Sequence, residues 1–163
     1  MSLNAIAKGA IVDWCVDQTF ADRLVERVVV NAGGDLVHRG TKPANVGIED
    51  PATKFDNVPP LTYITLDNAA LATSGSQRRG FTVAGTRSGH VVDPRTGWPV
   101  DHIRSASVVA PTAALADALA TAFMVLKPPE SFTVAEAVGG IAALIVDSDG
   151  AQHRNAAWSA IEQ

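Results

Sequence analysis

A chain of 163 residues, 47% hydrophobic and only 18% charged, is long and apolar enough to bury a sizeable core, which excludes a disordered polymer. Its formal net charge of −4 offers no broad basic footprint, so nucleic acid is a poor partner and a small anionic ligand would need a cation. The one cysteine, Cys15, excludes an internal disulfide and a thiolate zinc site.

In chain order, Asn4 to Asp17 reads as a helix rich in Ala and Ile, followed by a polar turn around Phe20 to Glu26 and a strand at Val28 to Asn31. Ala-Gly-Gly-Asp at 32–35 breaks that run. Short strands are expected at Leu36–His38, Ala44–Glu49, Leu61–Leu66, Ala69–Ser74, Gly80–Val83 and His90–Val92, with the stretch before His90, AGTRSG, as a loop. Ser105–Ala110 reads as a strand and Ala113–Leu126 as a helix stopped by Pro128 and Pro129. Phe132–Val138 reads as a short helix and Ile141–Val146 as a strand ending in an Asp-Ser-Asp-Gly turn. Strands with helices at intervals predict an α+β fold, and the lack of repeats or low-complexity linkers predicts a single domain over 1–163. No apolar run reaches bilayer length, and the first residues lack the charged-then-apolar pattern of a signal peptide, so the chain reads as soluble with its location undetermined.

Four segments carry chemistry. In GHVVDPRTGWPV, Gly89 to Val100, His90 precedes Asp93 by three residues, and Pro94 and Gly97 shape a turn around Thr96. A turn of this kind is either site architecture or simply a well-made turn. The run Ala113–Leu126 has Asp117 and Thr121 as its only polar members, and their spacing places both on one helical face. A carboxylate in so apolar a helix needs compensation, either from a hard cation such as magnesium or calcium or from an arginine such as Arg95 or Arg104, or else it caps a nearby backbone. In NAGGDL, Asn31 to Leu36, the glycine pair permits positive φ. It either closes a hairpin or lets a ligand approach the backbone beside Asp35. In AIAKG, Ala5 to Gly9, Lys8 could meet a phosphate or lie exposed, and Gly9 marks tight packing or a ligand approach.

Taken in order, AIAKGAIVD, NAGGDL, LATSG (Leu71 to Gly75), GHVVDPRTG and LADALATAF (Leu115 to Phe123) resemble the ApbE-type FAD:protein FMN transferases, once described as thiamine biosynthesis lipoproteins. The resemblance runs from Asn4 to about Gly150 and matches the C-terminal part of the family pattern. Full members are roughly twice this length, so the N-terminal half of that pattern is absent. The resemblance implies a T-fold-like antiparallel sheet covered by helices. It also implies magnesium-dependent transfer of FMN from FAD to a Thr or Ser hydroxyl of an acceptor protein, with release of AMP. By the same resemblance, Asp117, Thr121 and the Ala7 carbonyl hold the metal, Gly33, Gly34 and Asp35 contact FAD, and Ser74 and Gly75 lie nearby. His90 is the expected catalytic residue, and Asp93, Pro94, Thr96 and Gly97 shape the pyrophosphate site. Family members are often exported and lipid-anchored. Ser76 and Gln77 depart from the acidic or aromatic residue usual after Ser-Gly. Two further readings stay open: a flavin-nucleotide binding module without transferase activity, and one half of a split or self-associating protein.

Overall fold

The computed structural model describes residues 4–53, 58–76, 80–83 and 86–163; Gln77 and the Ala84-Gly85 start of the AGTRSG stretch lie outside them. The chain opens with helix α1 (Asn4–Phe20), then strands β1 (Arg27–Ala32) and β2 (Asp35–Gly40). Their register, Ala32 opposite Asp35, leaves Gly33 and Gly34 as a two-residue turn with φ of 63° and 99°. Positive φ at both positions suits a turn that matches strand twist, and it is nearly free only for glycine. The glycine pair therefore closes a hairpin.

Next come β3 (Ala44–Ile48) and β4 (Thr62–Leu66), which pair with each other, and β5 (Ala70–Gly75). Another hairpin, β6 (Gly80–Val83) and β7 (Thr86–Gly89), precedes the long strand β8 (Ile103–Ala110). Helices α2 (Ala113–Val125) and α3 (Pro128–Val138) lead to β9 (Ala142–Asp147), β10 (Gln152–Arg154) and a last turn of helix, α4 (Ala156–Ser159). The main sheet has six strands in the order β1-β2-β5-β8-β9-β10, every pair antiparallel.

Because side chains alternate across a sheet, each strand supplies two layers. Val37, Ala70, Ala72, Ala106, Val108, Ala143 and Ile145 face α1 and α2 and are buried with Val12, Val16, Leu119 and Phe123. Leu71, Val109, Ala142 and Leu144 face the other way, under the β3–β4 hairpin and Trp158 of α4. The α+β expectation holds, with one addition: helices cover one face, while a hairpin and a short helix cover the other.

Two local expectations are corrected. Pro128 and Pro129 begin α3 rather than merely ending α2, because the first turn of a helix has no use for the N–H that proline lacks. The expected strand His90–Val92 is not formed: β7 occupies Thr86–Gly89, inside the stretch read as a loop, and His90 sits in the bend after it. Beyond the Asp-Ser-Asp-Gly turn the chain forms β10 and α4, fixed by Asn155. Its side chain accepts from the Ala143 and Trp158 amides at 3.1 and 2.9 Å and donates to the Ile141 carbonyl at 2.8 Å. Among the described residues no helix is long and apolar enough to cross a membrane.

Candidate functional site

Helix α2 organises the site, and its placement is set at its N-terminus. The first amides of a helix lack intrahelical acceptors. Here Asp13 of α1 supplies them, its Oδ1 accepting from Ala113 at 2.7 Å and its Oδ2 from Ala114 at 3.0 Å, while Thr112 Oγ1 accepts from Leu115. One turn back on α1, Gly9 lies so close to Ala113 that a Cβ would stand 2.5 Å from its carbonyl carbon. Tight packing is thus what this glycine serves. The two helices meet at backbone distance, and Ala7 and Lys8 are carried to the same end of α2.

Asp117 and Thr121 project from α2 toward the sheet. Opposite them stand Asp35, at the start of β2, and Ser74, near the end of β5. Asp35 pairs across the ladder with Ala72, so Ser74, two residues on, faces the same side. Ser74 Oγ and Thr121 Oγ1 are 3.2 Å apart. Both carboxylates are buried, Asp35 completely and Asp117 with 7% exposure. The arginines expected as alternative partners of Asp117 are engaged elsewhere: Arg95 chelates Asp93, and Arg104 donates to the Ser148 carbonyl. Oδ2 of Asp117 and both oxygens of Asp35 accept no hydrogen bond.

The cation at hand is Lys8. Its Nζ lies 2.8 Å from Asp35 Oδ1 and donates to the Gly33 carbonyl at 3.2 Å. This ion pair leaves two carboxylates facing one ammonium. Burial pushes the Asp35 carboxyl from its ordinary 3.8 to about 6; Lys8 opposes the shift and the neighbouring Asp117 charge adds to it.

The loop after His90 flanks the other end of α2. Val91 and Val100 are buried in the helix-side core and joined by a 2.9 Å backbone bond, and Val92 pairs with Pro99. Between these anchors, Asp93 accepts from the Arg95 amide at 2.8 Å and from its guanidinium, which holds the carboxyl below the usual range. Thr96 Oγ1 accepts from the Trp98 amide at 3.2 Å, and Gly97 adopts φ of 75°. Arg95 also reaches the Val125 carbonyl at 3.5 Å, one turn beyond Thr121. Asp117, Thr121 and Val125 therefore mark successive turns from the carboxylates to the loop. His90 is exposed at the stem, where the preceding Gly89 lies against Ser76. A cavity of about 690 Å³ adjoins this loop, lined by Arg95, His102, Val125, Lys127 and Phe132 among others; Asp35 and Asp117 are not part of it.

Of the residues singled out in the sequence, the structure gathers Gly33, Asp35, Ser74, Asp117 and Thr121 around one face of α2, with Gly34 in the adjoining turn and Gly75 next to Ser74. Ala7 is exposed beside Lys8. Asp93 and Thr96 spend their polar groups holding their own loop. Two further residues prove central: Lys8, read in the sequence as a phosphate contact or an exposed side chain, is the counter-ion of Asp35, and Asp13 caps α2. Among the described residues no three His, Cys, Asp or Glu side chains converge as a metal cage. What exists is two carboxylates, two hydroxyls and nearby carbonyls. Such a hard-oxygen set suits magnesium, which keeps several of its waters, and the unaccepted buried oxygens fit a cation.

The fold and this polar face define an α+β protein with a buried pair of carboxylates between its helix layer and its main sheet. The ApbE family model matches residues 1–145, and the chain belongs to that family. It is 34% identical to the FAD:protein FMN transferase of Haemophilus influenzae over 154 residues, 91% of this chain and 44% of the relative. With the enzyme of the same name from Escherichia coli it shares 35% identity over 131 residues, covering 77% of this chain and 36% of the relative. Among solved structures it resembles the ApbE protein of Thermotoga maritima with a TM-score of 0.87 and 32% identity, covering all of this chain and 53% of that one. The apo flavinyl transferase ApbE of Pseudomonas stutzeri superposes with a TM-score of 0.78 and 31% identity, over 99% of this chain and 51% of that one. The chain thus spans about half the length of the relatives it matches.

Proposed function

We propose that this chain corresponds to the C-terminal part of an FAD:protein FMN transferase and carries its cation-binding and pyrophosphate-facing residues. The observation that carries the reading is the buried Asp35 and Asp117 pair, with three oxygens that accept no hydrogen bond, beside the Ser74 and Thr121 hydroxyls. The names borne by the relatives support the reaction class.

In this reading Asp117, Thr121 and the Ala7 carbonyl hold a magnesium ion. Bound there, the ion supplies charge neutralisation at the phosphate oxygens. The Gly33-Gly34 turn admits the ligand close to the backbone, and the Asp93–Gly97 loop lines the pyrophosphate from the other end of α2. Oxygen of a Thr or Ser hydroxyl on the acceptor protein bonds to the phosphorus on the FMN side. The bond from that phosphorus to the bridging oxygen breaks, and AMP leaves with the bridging oxygen. His90, exposed at the loop stem, takes or orients the hydroxyl proton.

Calorimetry with magnesium tests the ion site: wild type binds, Asp117→Ala does not, and equal binding by both would remove the basis of the reading. Thermal unfolding with FAD plus magnesium tests nucleotide recognition, because a ligand of the native state raises the midpoint by mass action. Magnesium-dependent AMP release from FAD, with flavin fluorescence retained on an acceptor protein, reports transfer. FAD binding without either signal identifies a binding module.

One observation favours the reading of a partner half. The outward face of α1 exposes Ile6, Ile11 and Trp14, the last at 64%. An apolar stripe of this kind is a surface that a further polypeptide covers, either the remaining half of the family pattern or a second copy of this chain. Sedimentation of the isolated chain decides for a second copy if it is dimeric and Trp14→Glu makes it monomeric. A monomeric wild type rules the second copy out.

A further inference from the structure

Lys8 occupies an unusual place for a lysine that could serve a phosphate. Its Nζ is turned inward, 2.8 Å from a carboxylate oxygen of a wholly buried aspartate, and its remaining bond is to a turn carbonyl at 3.2 Å. The side chain keeps 29% of its surface exposed, so a path to solvent is open along its own stem. The group it neutralises is not otherwise served: neither Asp35 oxygen accepts a hydrogen bond, nor does Oδ2 of the neighbouring Asp117. Removing the ammonium alone would leave two buried charges uncompensated, so Lys8 leaves only when another cation arrives.

We propose that Lys8 is an exchangeable counter-ion: it neutralises Asp35 and Asp117 while no divalent ion is bound, and is displaced toward solvent, onto a phosphate oxygen of the incoming ligand, when one binds. This rests on the reading of Asp117 and Thr121 as the ion site. A divalent ion beside Asp117 supplies the charge that Asp35 lacks and repels the ammonium from the same carboxylate. The lysine stem is flexible and its head is a compact point charge with rotatable donors, suited to changing partners without disturbing the helix. The Gly33 carbonyl, accepting at 3.2 Å, is a weak second tether. Ion and phosphate binding are then coupled, each favouring the state in which Lys8 points outward.

The full chain is labelled with a limiting amount of an acetylating reagent, with the exposed Lys42 and Lys127 as internal references. Calorimetry with magnesium alone runs in parallel. Saturating magnesium is expected to raise labelling of Lys8 several-fold relative to the references, and inorganic pyrophosphate added with magnesium to lower it again. Lys8→Met, which removes the competing cation, is expected to bind magnesium about tenfold more tightly and to lose the coupling between magnesium and pyrophosphate. Magnesium that binds to wild type without changing Lys8 labelling overturns the exchange and leaves the ion site standing. Failure of wild type to bind magnesium overturns the ion site itself. The labelling arm needs no variant, so a Lys8→Met chain that does not fold leaves the test intact.

Discussion

Gly9 of α1 and Ala113 of α2 are in backbone contact, and this contact determines how close Lys8 comes to the sheet. A Cβ at Gly9 would stand 2.5 Å from both the carbonyl carbon and oxygen of Ala113 and 2.6 Å from the Ala114 nitrogen. Two effects oppose each other in Gly9→Ala. Helix propensity favours alanine by about 1 kcal/mol, whereas overpacking a tight contact costs about 1–3 kcal/mol. The obstructing atoms are backbone and cannot rotate aside, so the clash wins. We expect Gly9→Ala to lower the unfolding free energy and to weaken magnesium binding by moving α1 off α2. A variant more stable than wild type in urea titration would show that the contact relaxes at little cost.

The same junction depends on Asp13, whose two oxygens serve the Ala113 and Ala114 amides across about a hundred residues of sequence. Asp13→Ala leaves those amides without acceptors and is expected to cost about 1–2 kcal/mol. Asp13→Asn retains one acceptor oxygen and should lose roughly half as much. Denaturation midpoints of the two variants check this; an Asp13→Ala midpoint within error of wild type would mean that water replaces the carboxylate in full.

What the sequence made legible were features whose cause is local. The α2 helix follows from a long run behind Thr112 that is apolar but for Asp117 and Thr121, and their i, i+4 spacing sufficed to place them together. The β1–β2 hairpin follows from two adjacent glycines. What escaped depends on residues far apart in the chain. Nothing near Asp13 shows that it caps a helix beginning at Ala113, and nothing near Lys8 shows that it turns inward to Asp35. Asp93 looked like a ligand-facing carboxylate because its partner, Arg95, lies inside the same short loop, where sequence alone does not reveal which way either points. The strand at Thr86–Gly89 was missed because small and polar residues carry little alternation, and it forms by pairing with Gly80–Val83.

The raised Asp35 carboxyl gives a pH dependence with a definite sign. In the unfolded chain this group loses its proton near 3.8, in the native protein near 6. Between those values the native state holds more protons, so stability falls as pH rises through the interval and stays low above it. The penalty approaches about 3 kcal/mol at neutral pH in the absence of divalent ions. Asp93, Asp147 and Glu162, whose carboxyls are held low, act in the opposite sense toward the acid end of the interval, and they are common to wild type and to a variant at Asp35, so the comparison of the two removes them. Asp35→Asn cannot ionise. In chelator, its unfolding free energy should therefore lack the fall with rising pH that Asp35 imposes on wild type and should exceed that of wild type at neutral pH by about 1–3 kcal/mol. Urea titrations of both proteins across the interval make the comparison. If the two curves run parallel, Asp35 is not carrying the buried charge that the geometry assigns to it. Repeating the series with magnesium should narrow the difference at neutral pH, since a bound cation stabilises the ionised carboxylate that the asparagine variant lacks.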